Sequence, residues 1–156
     1  MKDGLKVKGM FRLHITKDGK LIGDSSWHKN QVVNLGFNQY LVMSLGSISG
    51  SKYVSHVALG TGGAPAAGDT ALAGEGELSK RSAVTAATSS GSKTVRFTAT
   101  FNSTDSFVTA TKNISNIGLF NTSAVTTGTV FAGNTYTSSS VATNQNVNVT
   151  YDIIFS

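Results

Sequence analysis

At 156 residues with no cysteine, the chain has room for one ordinary domain and none for disulfides or thiolate metal sites. Hydrophobic residues make up 39% and charged residues only 13%, with no apolar run long enough to span a bilayer, which excludes a disordered polyelectrolyte and a helical membrane protein. The formal charge of +5 includes an early basic group, Lys2, Lys6, Lys8, Arg12, Lys17 and Lys20. No aromatic residues interleave with it as a stacking surface would require, so it argues against nucleic acid and for a solvated arm or hairpin, or one laid on an acidic protein.

Ser, Thr, Asn and Gly replace the missing charges, a composition that favours half-buried strands and the turns between them. Phe11, Leu13 and Ile15 alternate with Arg12, His14 and Thr16, and Asp18-Gly19 then marks a hairpin whose return arm carries Leu21 and Ile22 and ends near Trp27. Asn34 is placed to cap a helix of about 34–46. Leu35, Phe37, Tyr40, Leu41, Val42 and Leu45 come after it at helical spacing, with Gly46 at the C-terminal cap. From Tyr53 onward the pattern is strands and turns. Val54 to Leu59 is one strand, and residues 81–88 and 93–101 form a hairpin around Ser89-Ser90-Gly91-Ser92. Further strands cover 113–121, 129–136 and 147–155, the last with Asn148, Thr150 and Asp152 outward. Two stretches, 60–77 and 135–146, read as long loops. The expected architecture is all-β: a single-domain, jelly-roll-like β-sandwich (34–156) preceded by a basic arm and hairpin (1–33), with one short helix.

The stretch Gly60-Thr61-Gly62-Gly63 sits behind a strand as a phosphate loop would, but Ala-Pro-Ala-Ala comes next, with neither Lys-Ser/Thr nor a long helix. Its glycines instead allow a sharp turn, Pro65 stiffens the residues after it, and Leu72 is placed to anchor the loop in a pocket. Such a loop is expected to order when another chain covers it. Asp69, Glu75 and Glu77 form the acidic cluster. They read as a solvated loop, as partners for Lys80 and Arg81 across a subunit contact, or as oxygen ligands lacking the EF-hand spacing. A carboxylate-pair glycosidase would need acids on a rigid cleft. His14, His28 and His56 show no ligand spacing, and no serine sits in a Gly-x-Ser-x-Gly elbow. No catalytic, cofactor-binding or metal-binding residue is assigned, and the expectation is a non-enzyme without cofactor, small-molecule substrate or membrane partner.

Three phrases in order, GMFRLHITKDGKLIGDSSWHKNQVVN (Gly9 to Asn34), HVALGTGGAPAAGDTAL (His56 to Leu72) and NIGLFN (Asn116 to Asn121), precede a last strand ending in YDIIF. This order resembles small structural proteins of tailed bacteriophages, on Ala58 to Gly62, Asp69 to Leu72 and Gly118 to Asn121. The resemblance covers most of the chain and carries no catalytic residues. It implies a virion component assembled in the host cytoplasm. The first expectation is a capsid decoration (cement) protein, a homotrimer on the outside of the major capsid protein shell. The alternative is a tail, baseplate or tail-fibre component in tail assembly or host attachment. For that alternative Trp27, Tyr53, Tyr136 and Tyr151 are the aromatic candidates for sugar contact, with burial at strand ends as the plainer account of all four. A chain ending after one domain, with no receptor-binding extension or coiled coil, departs from a long tail fibre. The start, MKDGLKVKGMF, lacks the apolar core expected of a secretory signal.

Overall fold

A computed structural model describes residues 4–156, so Lys2 of the basic segment lies outside the described residues. Ten strands are present among the described residues: β1 (Val7–Lys17), β2 (Lys20–Asp24), β3 (His28–Val32), β4 (His56–Gly60), β5 (Ser82–Ala83), β6 (Thr85–Ala87), β7 (Thr94–Phe101), β8 (Lys112–Phe120), β9 (Val130–Val141) and β10 (Asn146–Phe155). All pairings are antiparallel, in the order β5-β4-β8-β9-β3-β1-β10-β7-β6, with β2 beside β1. The chain is all-β.

The sheet is wrapped around a main core, with a second, smaller cluster of Val33, Ala58, Leu72, Phe120 and Val130. Phe11, Leu13, Phe97, Val149 and Tyr151 from the β1-β10-β7 layer meet Ile114, Ile117, Leu119 and Phe131 from the β8-β9 layer. Two devices join the layers. β3 pairs with β1 from Phe11↔His28 to Gly9↔Asn30, then leaves it to pair with β9 through Gln31 and Val32. At the opposite rim β5 pairs with β4 and β6 with β7, and only Val84 separates them. Val84 donates its N–H to Ser55 O (3.0 Å) and Ser82 Oγ–H donates to Thr100 O (2.7 Å), so the two rims are tied by one kinked strand. The sandwich is therefore nearly closed.

The opening hairpin forms as the Asp-Gly pair requires, with Asp18 at φ 50° and Gly19 at φ 74°. β1 is more than a hairpin arm, because ten consecutive residues pair with β10 from Val7↔Phe155 to Thr16↔Asn146. Segments 1–33 and 34–156 thus share one sheet.

The helix occupies 34–45, but it is a widened π turn over Gly36–Val42 that closes with a short α turn, Met43–Leu45. No side-chain capping bond is made at its start. Asn34 is already helical, and its own N–H is taken by Ala67 O (2.7 Å). A π turn holds more residues than an α turn, so side chains spaced for one α face spread around it. Tyr40 and Leu41 reach the core, whereas Phe37, Val42 and Leu45 stay exposed.

One expected loop is a strand. Residues 135–141 continue β9, pairing Ser139 with Ile114 and Val141 with Lys112 past a register shift at which β9 carries the extra residues. Threonine suits an extended, half-buried backbone, and Tyr136 and Val141 supply the buried anchors. Only the short turn before Asn146 remains irregular.

Candidate functional site

The segment from Gly60 to Arg81 is a long excursion from the sheet between β4 and β5, and it is fastened by its own chain. Thr61 and Gly62 N–H groups bond Gly74 O (3.4 Å) and Ala73 O (3.1 Å), closing the base of the loop. Gly74, at φ 72°, is the residue that allows this, since a Cβ there would lie 2.5 Å from Thr61 Oγ1 and 2.7 Å from Gly62 N. Asn116, fully buried on β8, donates from Nδ2 to Gly63 O (2.8 Å) and Ala73 O (2.9 Å), spanning the loop from beneath. Ser115 Oγ–H adds a bond to Gly62 O (2.8 Å).

The tip is held as well. Asp69 accepts from Ala66 N–H (2.8 Å), Val130 N–H donates to Thr70 O (2.9 Å), and Leu72 is buried with Val33, Ala58, Phe120 and Val130. Leu72 is the expected anchor, but its pocket belongs to the same chain. The ordering role expected of a covering neighbour is met by Asn116, Leu72 and the sheet, while residues 66–71 are fixed yet exposed.

The acidic cluster is dispersed. Glu75 is buried and pairs in two-pronged fashion with buried Arg81, Nε to Oε1 at 2.5 Å and Nη2 to Oε2 at 2.9 Å. Arg81 also donates to Thr122 O and Thr127 O (both 2.9 Å), and its guanidinium carbon lies 3.7 Å from the centre of the Phe120 ring. Thr126 N–H donates to Glu75 Oε2 (3.2 Å). A solvated loop is therefore the wrong description of Glu75, and its arginine partner comes from the same chain. The cause is geometric: the turn Glu75–Glu77 aims Glu75 beneath the 122–128 loop, whose carbonyls complete the arginine's hydrogen bonds. Glu77 faces outward and pairs with Lys112 (2.7 Å), which holds its carboxyl below the ordinary value. Lys80 is exposed, and no ion pair is recorded for it among the described residues.

The histidines stand apart. His28 stacks on Phe11 (5.7 Å) and shares a hydrogen bond with Ser25 O (2.7 Å), and His14 lies 3.5 Å from Asp24. Among the described residues no group of three or more His, Asp or Glu is placed to hold a metal ion. Tyr136 and Tyr151 are buried, the latter bonded to Asn30 Nδ2 (2.7 Å), but Tyr53 is 77% exposed and Trp27 40% exposed, so burial does not account for those two. Asp152, outward by the alternation of its strand, is instead shielded by Arg96 through two 2.8 Å bonds.

No family model, curated protein or solved structure matches the chain. The site is therefore described by its own geometry: two loops, 61–74 and 122–128, locked to the sheet by Asn116 and by the Glu75–Arg81 brace.

His56 reports on that brace. Burial, and then the charge of Arg81, hold its imidazole below the ordinary value of 6.5. The unfolded chain takes up this proton at a pH where the folded chain resists it, so unfolding is favoured as pH falls below about 6.5. Stability measured by denaturant titration should decline over that interval and lose this component in His56→Gln. An unchanged pH profile in the variant would assign the decline elsewhere.

Proposed function

We propose that the chain is a non-enzymatic structural component of a tailed-bacteriophage virion, a decoration protein that binds the outside of the capsid shell and stabilises it. The observation that carries this reading is the way the phrases behind the phage resemblance serve one another. Asn116 of NIGLFN clamps the GTGGAPAAGDTAL loop, and the Val33 near the end of the first phrase packs on Leu72 of the second. These residues spend their polar groups on holding a surface rather than on converging around a cavity. A surface fixed in advance loses little conformational freedom on docking, which suits a protein that adds to a preformed shell. Anything that binds the assembled shell and not its dissociated parts stabilises it by mass action.

Particles with and without the protein supply the test. With it bound, DNA release should shift to higher temperature, and labelled protein should image over the head. Equal release temperatures would discard the cement role. Label confined to the tail would favour the tail or baseplate alternative, which the exposed Tyr53 and Trp27 support as sugar-contacting aromatics.

A further inference from the structure

Where β3 leaves β1 for β9, the sheet opens a notch of about 280 Å³ lined by Val7, Lys8, Met10, Lys29 and Ile154. The backbone of β1 is unsatisfied there. Lys6 and Ser156 exchange both their N–H···O bonds (2.7 and 2.8 Å), so by antiparallel alternation the N–H and C=O of Val7, and of Leu5 before it, point away from β10. On that side the pairing with β3 stops at Gly9↔Asn30, and among the described residues nothing else bonds these groups.

The outer face around the notch is positive. Lys6, Lys8 and Lys29 are exposed, and none of the ion pairs among the described residues involves them. The neighbouring cations Arg12 and Arg96 are matched by Asp24 and Asp152. Between the lysines, Met10 and Ile154 offer an apolar strip.

We infer that this notch receives an extended acidic segment of a partner protein, which adds to the free edge of β1 at Leu5 and Val7. Its carboxylates would lie toward Lys6, Lys8 and Lys29, with an apolar side chain on Met10 and Ile154. Main-chain bonds supply affinity in such strand addition, and the side chains at alternate positions supply selectivity. Charge complementarity picks an acidic partner, and the apolar strip with a strand edge favours a peptide over a phosphate backbone. The inference rests on the proposed assembly role, because it names the contact through which the chain would join its neighbour.

The test titrates the full chain with an end-labelled peptide of alternating glutamate and valine, at low and moderate salt. Saturable, salt-weakened binding is expected, reduced about tenfold in the Lys8→Glu/Lys29→Glu variant. Val7→Pro should weaken it comparably, because it removes the N–H on the open side while leaving the bonds to β10 intact. The charge variant alters only exposed side chains, so its result stands even if the proline disturbs folding. A single-stranded oligonucleotide or anionic vesicle that binds as tightly, with no response to Val7→Pro, would overturn the inference. Particle binding separates the two readings. If wild type and the Lys8→Glu/Lys29→Glu variant decorate particles equally, the notch is wrong and the assembly role stands. If wild type ignores particles while the peptide results hold, the notch stands and the assembly role falls.

Discussion

Replacing Glu75 with alanine is expected to lower the unfolding free energy by about 3–5 kcal/mol, the largest loss foreseen for any single substitution in the loop region. Arg81 would be left as a buried cation, with the carbonyls of Thr122 and Thr127 and the face of Phe120 as its remaining partners. For a chain of this size that corresponds to a fall in Tm of roughly 10 °C. Denaturant titration with a calorimetric scan would measure it. Removing both charges, as Glu75→Leu with Arg81→Met, should cost much less than Glu75→Ala alone, because no unpaired ion remains. A loss below about 1 kcal/mol for Glu75→Ala would mean that water reaches the pair and that it is an ordinary surface contact.

Asn116→Ala should cost about 2–4 kcal/mol, since it leaves the carbonyls of Gly63 and Ala73 without their donors. Hydrogen exchange and limited proteolysis should show the effect concentrated in residues 61–74 rather than spread over the sheet. Asn116→Asp keeps the shape but cannot donate while ionised, so it should be at least as damaging. If Asn116→Asp instead behaves as wild type, the loop is held by Leu72 and the backbone contacts, and the amide is dispensable.

Much of the body was legible because it obeys local rules. The Asp18-Gly19 turn has few other uses, and the alternation of Phe11, Leu13 and Ile15, or of Val147, Val149, Tyr151 and Ile153, states which face is buried. Residues 135–141 misled because a run of serines suggests a turn, while the sheet asked only for Tyr136 and Val141 as anchors. The site was less legible. A carboxylate in a glycine-rich loop looks solvated until the loop turns under residues 122–128, and nothing in the spacing of Glu75 and Arg81 announces that fold-back. Asn116 was the readable clue: a polar residue in the middle of an apolar strand, ISNIGLF, must find partners. The expected cap by Asn34 failed because Asn34 lies within the first helical turn, where its backbone lacks the extended conformation of a capping residue.

The handover at Val84 carries a consequence for the proposed assembly role. Chains concentrated on a common scaffold risk zipping together strand upon strand, and a sheet with two bare margins would invite it. Here a single continuous thread covers part of each margin, at His56–Val57 of β4 and Arg96–Thr98 of β7, which shortens the bare edge on which such stacking could begin. Under the proposed assembly role, contacts with neighbours would fall mainly to side chains, to the outer side of β2, and to the small gap beside Val7.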